Sequence, residues 1–279
     1  MTGLPLVFLD GPMGTELERR SIPLPIPLWT AAAVKDHPEV VRAVHATFAA
    51  AGADVHTAAT FRTTERTFRK AGLPGRWEDL LELAVELCRE GAGPHAKVAG
   101  SMAPLEDCFT PEDTPDDESL AREHAELATA LADAGCNLLL VETIPTLREL
   151  VAATRAAVAT ELPVWASITL GPENAYFDAN GVDEAAAVAA EEGAQAFLIN
   201  CSTADQITAH IERLAGRSER PPTLGAYGNT LFENGGDWTV ARYVREAARW
   251  AESGADILGG CCGTTPEYLA ALREALGSS

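Results

Sequence analysis

The chain reads as a single (β/α)8 barrel on three grounds. Short apolar runs alternate with alanine-rich amphipathic stretches along almost the whole chain. Helix-stop signals recur directly before apolar runs, as Ala51-Gly52-Ala53-Asp54, Ala134-Gly135-Cys136-Asn137, Glu192-Gly193-Ala194-Gln195 and Ser253-Gly254-Ala255-Asp256. Residues able to do chemistry fall at or just past the ends of the runs: Asp10, Thr60, Glu142, Asn200, Cys201, Asn229, Cys261 and Cys262. In a barrel those ends form the active face. A doubly wound sheet is the rival fold, but no Gly-x-Gly-x-x-Gly follows the first strand. No shift in composition marks a linker, so residues 1–279 read as one domain.

Leu6-Val7-Phe8-Leu9 reads as the first strand, closed by a tight turn at Asp10-Gly11-Pro12-Met13-Gly14-Thr15. A proline-rich loop over 22–28 leads to Trp29, which either covers the barrel mouth or packs beneath it. Pro38 opens a helix that Gly52 stops. Strands are expected at 54–61, 96–102, 136–142, 164–170, 196–200, 223–227 and 256–258. Helices are expected at 79–89, 117–134, 146–159, 183–192, 204–214, 239–252 and 266–276.

Lys plus Arg number 21 against 41 Asp plus Glu, a net charge of −20. Such a surface repels nucleic-acid phosphates and anionic headgroups, so neither nucleic acid nor membrane is an expected partner. The N-terminus lacks the basic region of a signal peptide, and no apolar run approaches the ~20 residues of a membrane span. A cytoplasmic location is expected, in which thiols stay reduced. The oligomeric state is left open.

Six cysteines are present. Cys88 and Cys136 read as core, and Cys108 lies in a loop. Cys201 ends one apolar run, and Cys261 and Cys262 follow Gly259-Gly260 at the end of another. Strands six and eight are next-but-one neighbours in a barrel, so the three thiols can meet at one Zn2+ with an open fourth position. Glycines at 259, 260 and 263 permit the sharp turn that adjacent ligands need. A vicinal disulfide or plain packing of Cys201 are the alternatives. Three thiolates leave zinc a poor Lewis acid for water. They suit it to holding a fourth sulfur as thiolate, which a free thiol with a pKa near ~8.5 seldom is at neutral pH. The reaction expected of such a site is attack by a thiol on an electrophilic carbon.

Asp10 and Glu142 end strands one and four, where a carboxylate either binds a substrate ammonium or caps the next turn. His45 and His56 read as packed histidines. Trp29, Phe61 and Tyr227 are candidates for an aromatic wall against a cationic substrate.

These stretches together resemble the homocysteine S-methyltransferase family of zinc-dependent (β/α)8 thiol methyltransferases. The resemblance is carried by Leu9-Asp10-Gly11-Pro12-Met13-Gly14-Thr15-Glu16-Leu17, Pro27-Leu28-Trp29-Thr30-Ala31, His37-Pro38-Glu39-Val40-Val41, Ala51-Gly52-Ala53-Asp54, Thr60-Phe61, Val141-Glu142-Thr143-Ile144-Pro145, Ile199-Asn200-Cys201 and Gly259-Gly260-Cys261-Cys262-Gly263-Thr264. It implies that Cys201, Cys261 and Cys262 bind zinc and that Asp10 and Glu142 hold the amino group of an amino-acid acceptor. The backbone at Gly11 would meet the acceptor's carboxylate, and Thr60, Asn200 and Trp29 join the expected substrate-binding set.

Three segments depart from the family pattern. The Thr-Asn-Thr-like end of strand two is Thr57-Ala58-Ala59-Thr60, Tyr-Pro-Asn is Tyr227-Gly228-Asn229, and Gly-Val-Asn-Cys is Leu198-Ile199-Asn200-Cys201. The expected activity is transfer of a methyl group from S-methylmethionine or S-adenosylmethionine to L-homocysteine, giving methionine. A different thiol or selenol acceptor, or a betaine-type donor, is the alternative within the family. A catalytically silent zinc-binding barrel is the alternative outside enzymes.

Overall fold

A computed structural model of the protein describes residues 5–217, 221, 223–231 and 238–277. In chain order its elements are β1 (Val7–Phe8), α1 (Met13–Arg19), α2 (Thr30–Asp36), α3 (Pro38–Ala50), β2 (Val55–Thr57), α4 (Glu65–Lys70), α5 (Trp77–Ala92), β3 (Lys97–Met102), α6 (Asp117–Asp133) and β4 (Leu138–Ile144). There follow α7 (Leu147–Val158), β5 (Val164–Ile168), α8 (Ala179–Glu191), β6 (Ala196–Thr203), α9 (Ala204–Ala215), β7 (Leu224–Asn229), α10 (Val240–Glu252), β8 (Ile257–Gly260) and α11 (Pro266–Leu276).

The eight strands form one parallel sheet in the order β1-β8-β7-β6-β5-β4-β3-β2. A parallel bridge between Leu9 and Val55 joins its two ends, and the Asp10 amide donates to the Val55 carbonyl at 3.0 Å. The sheet is therefore a closed single-domain (β/α)8 barrel, as the sequence predicts.

Period-two alternation divides the core into two layers. Leu9, Val55, Leu138, Leu140, Leu198 and Ile257 fill the barrel interior. Their neighbours Phe8, Leu139, Val141, Phe197 and Leu258 face outward into a larger layer against the helices. The four helix-stop glycines all have positive φ: 99° at Gly52, 82° at Gly135, 100° at Gly193 and 99° at Gly254. Side-chain N-caps start the outer helices at Thr64, Asp116, Thr146, Asp178 and Thr239. A capping box of Thr203 and Gln206 starts α9.

The sequence reading differs from the fold in three ways. Strand two ends at Thr57, so Ala58, Ala59, Thr60 and Phe61 belong to the loop beyond it. Strands β4, β6, β7 and β8 each run two or three residues farther than expected. Helices α1, α2 and α4 were not expected; at seven, seven and six residues they are too short for periodicity to reveal. Among the described residues no helix is long and apolar enough to cross a membrane.

Candidate active site

The barrel mouth opens onto a cavity of about 330 Å³. Cys201, Cys261 and Cys262 lie in its wall, and their sulfur atoms all lie within 4.8 Å of one another. The two cysteine pieces reach this point by different routes. In β6, Leu198 faces inward and Ile199 outward, so regular alternation would turn Asn200 in and Cys201 out. Instead the register shifts between Asn200 and Thr203, and Cys201 adopts φ 49°. This bulge brings Sγ of Cys201 into the cavity wall. A non-glycine residue with positive φ is costly, and such strain gathers at functional sites.

Cys261 continues the inward register of Ile257 and packs against the interior layer. Its amide donates to the Gly228 carbonyl at 2.8 Å, and its carbonyl accepts from the Thr264 amide at 3.0 Å. The turn depends on Gly263 at φ 85°, where a side chain would also meet Leu231 Cγ at 2.5 Å. Tyr243 of α10 pins both strands below, donating to the Gly259 carbonyl at 2.7 Å and accepting from the Gly228 amide at 2.9 Å. Asn229 Nδ2 donates to Cys201 Sγ at 3.6 Å. Hydrogen bonds from Cys201 and Cys261 hold the Cys262 thiol well below its ordinary pKa. Hydrogen bonds with Cys261 and Cys262, together with burial, push Cys201 up.

The carboxylates of Asp10 and Glu142 line the same cavity. Ser101 Oγ donates to Glu142 Oε1 at 2.5 Å, and the Tyr227 hydroxyl donates to Oε2 at 3.1 Å. Burial nevertheless pushes Glu142 up to about 7, because two hydrogen bonds do not replace full hydration. Asp10 is also raised well above the usual carboxylate range by burial, against the Thr57 amide that donates to its Oδ2 at 3.0 Å. Two buried carboxyls facing a cavity are poised to accept a cation that would restore their charge.

Trp29, Phe61 and Tyr227 also line the cavity, and the first two rings stack edge to face with centroids 5.6 Å apart. Gly14 makes this possible: a Cβ there would lie 2.3 Å from the Trp29 ring. Gly11 forms part of the wall.

Two expected site residues do not reach the cavity. Thr60 is fully buried, its Oγ1 donating to the Ser101 carbonyl at 3.0 Å and accepting from the Ser101 amide at 3.0 Å. Asn200 is fully buried too, its side chain spent on Thr143 and Ser167. Both brace the wall behind the carboxylates. Ser101, Arg62 and the loop residue Cys108 line the cavity without any local signal in the sequence.

Behind Asp10 lies a second cluster. Nδ1 of His45 and of His56 are each 3.8 Å from Asp10 Oδ2, too long for a hydrogen bond. No side chain satisfies any of the four ring nitrogens, and the backbone of Ala53 lies close to His56. Burial lowers His45 to about 3 and His56 to about 4, so both rings are neutral. One ligand atom from each of these residues lies within 4.8 Å of the others, and such a His/His/Asp cluster could coordinate a metal.

The chain is similar to known proteins over nearly its whole length. The family model for homocysteine S-methyltransferase matches residues 7–276. The homocysteine S-methyltransferase YbgG of Bacillus subtilis is 31% identical over 95% of this chain and 92% of its own. The homocysteine S-methyltransferase of Escherichia coli is 31% identical over 96% and 94%. The crystal structure of the Escherichia coli homocysteine methyltransferase MmuM in its metallated form superposes with a TM-score of 0.84 at 29% identity, covering 98% of this chain and 97% of that one. With barrel, thiol cluster and paired carboxyls at one mouth, and a match over nearly its full length, the chain belongs to the homocysteine S-methyltransferase family.

Proposed function

We infer that the protein is a zinc-dependent methyltransferase that moves a methyl group from a small sulfonium donor, S-methylmethionine, to the thiol of L-homocysteine, giving methionine. The observation that carries this reading is the convergence of three thiols and two buried carboxyls on one cavity. The three sulfur atoms suit a tetrahedral thiophilic ion, and the bulged Cys201 costs backbone strain that a ligand role would justify. Cys201, Cys261 and Cys262 would hold the zinc, which when bound would supply the positive charge that favours the thiolate form of a substrate thiol near neutral pH.

Asp10 and Glu142 bind the acceptor's ammonium and so set the distance of its sulfur from the thiol cluster. The rings of Trp29, Phe61 and Tyr227 shield the donor's cation and exclude water. In the transfer, the acceptor sulfur forms a bond to the methyl carbon as the donor's sulfur–methyl bond breaks in line. The electron pair of that broken bond leaves with the donor as a neutral thioether. A cavity of about 330 Å³ lies at the small end of ligand sites. It suits two amino acids better than an acceptor with a nucleoside-bearing donor, and so favours S-methylmethionine over S-adenosylmethionine.

A second reading concerns the acceptor. Ala58 and Ala59 line the cavity where the family pattern has polar groups, which favours a thiol or selenol with a more apolar body. Zinc-loaded protein offered homocysteine and S-methylmethionine should form methionine. Bound zinc without methionine from any thiol tried would leave only a silent metal-binding barrel.

A further inference from the structure

The inventory of charge in the cavity wall is uneven. Asp10, Asp107 and Glu142 are acidic, and Arg62 is the one basic side chain in the wall among the described residues. Arg62 sits beyond β2 on the loop that carries Phe61. Its guanidinium carbon is 5.2 Å from the centroid of the Phe61 ring, and Nη1 donates to the Glu106 carbonyl at 3.0 Å. No carboxylate lies within salt-bridge distance of it among the described residues. Arg66, four residues on, differs: it is bonded to Glu106 at 2.9 Å and to Glu123 at 2.7 Å. In a chain with 41 acidic residues against 21 basic ones, an arginine left without a carboxylate at a cavity is notable.

Two amino-acid substrates bring two carboxylates. The end of the cavity that holds the thiols and buried carboxyls offers no basic side chain to either, and the expected backbone contact at Gly11 serves only the acceptor's. Arg62 shares its loop with Phe61, which stacks on Trp29 in the aromatic wall. A sulfonium lying against those rings would carry its own carboxylate within reach of the adjacent guanidinium.

The geometry points to Arg62 as a carboxylate subsite for the methyl donor, so that the protein selects sulfonium donors that bear a carboxylate. This rests on the methyl-transfer reading of the cavity. A guanidinium already placed by a ring and a carbonyl loses little freedom on binding, and it offers a carboxylate charge-assisted hydrogen bonds.

The test is equilibrium binding of S-methylmethionine, its carboxamide and homocysteine to the zinc-loaded full chain, in the parent, Arg62→Gln and Arg62→Lys. The parent should bind S-methylmethionine about 10–100-fold more tightly than the carboxamide. Arg62→Gln should erase that preference and leave carboxamide and homocysteine affinities unchanged, and Arg62→Lys should restore part of it. A preference that survives Arg62→Gln overturns the subsite. So does a loss confined to homocysteine, or a parent that binds neither form of the donor. Turnover measured alongside separates the two readings. Carboxylate-selective binding without methionine formation removes the methyl-transfer reading and keeps the subsite. Methionine formed equally well from both donor forms removes the subsite and keeps the transfer.

Discussion

Asn200 and Thr143 exchange two hydrogen bonds between the ends of β6 and β4. The Thr143 amide donates to Asn200 Oδ1 at 3.0 Å, and Asn200 Nδ2 donates to Thr143 Oγ1 at 2.8 Å. Ser167 Oγ adds a third bond to the same Oδ1 at 2.8 Å. Both strands are irregular here, with φ 61° at Thr143 and 49° at Cys201. The chain neighbours of the pair, Glu142 and Cys201, both stand in the cavity wall. One buried amide thus ties the placement of an acid to the placement of a thiol.

Asn200→Ala should therefore cost about 2–4 kcal/mol of stability, because it strands a buried amide and hydroxyl groups. It should also weaken zinc binding although all three cysteines remain. Urea unfolding and competition with a zinc chelator measure the two effects. Unchanged zinc affinity would show that the bulge at Cys201 holds without its brace.

Cys261→Ser should abolish tight zinc binding and activity while changing the stability of the metal-free chain by no more than about 1 kcal/mol, since the substitution is nearly isosteric and only half-buried. Metal analysis after dialysis, beside a thermal unfolding curve, decides it. Stoichiometric zinc in this variant would exclude the three-thiolate site and direct attention to the Asp10, His45 and His56 cluster.

Glu142→Gln and Asp10→Asn each keep the shape of the side chain and remove its charge. Each should raise the KM for homocysteine about 10–100-fold, the worth of a charge-assisted hydrogen bond, with the donor's KM near its parent value. Steady-state kinetics with each substrate varied in turn checks this. A fall confined to kcat would assign the carboxyls to the transfer step instead of to anchoring.

The buried histidines make stability depend on pH in a defined direction. In the unfolded chain a histidine takes a proton near pH ~6.5. In the fold, burial holds His45 at about 3 and His56 at about 4. The unfolded state therefore binds more protons in the window between. The stability from neutral burial is complete above ~6.5 and is lost as pH falls toward the folded values. Asp10 works the other way: its raised pKa makes the folded chain take up a proton first, so acid relieves its burial. His56→Gln should flatten the decline by up to about 1.4 kcal/mol per pH unit. Urea unfolding of parent and variant from pH 7.5 to 5 tests it, and parallel curves would contradict a neutral His56.

The barrel is legible along the chain, because the alternation of apolar runs with helix stops is local information repeated many times. The sequence also placed Asp10, Glu142, Cys201, Cys261 and Cys262 at one mouth, since a residue at a strand's C-terminal end has nowhere else to be once the strands are parallel. Only the tertiary structure separated lining from bracing. Thr60 and Asn200 stand at the same ends, yet their hydrogen bonds run to Ser101 on β3, Thr143 on β4 and Ser167 on β5. The gathering of His45 and His56 behind Asp10, and the isolation of Arg62 from every described carboxylate, were equally invisible in one dimension. The reason is physical: which partner satisfies a buried polar group is set by the register and bulges of adjacent strands, and those depend on contacts between residues far apart in the chain.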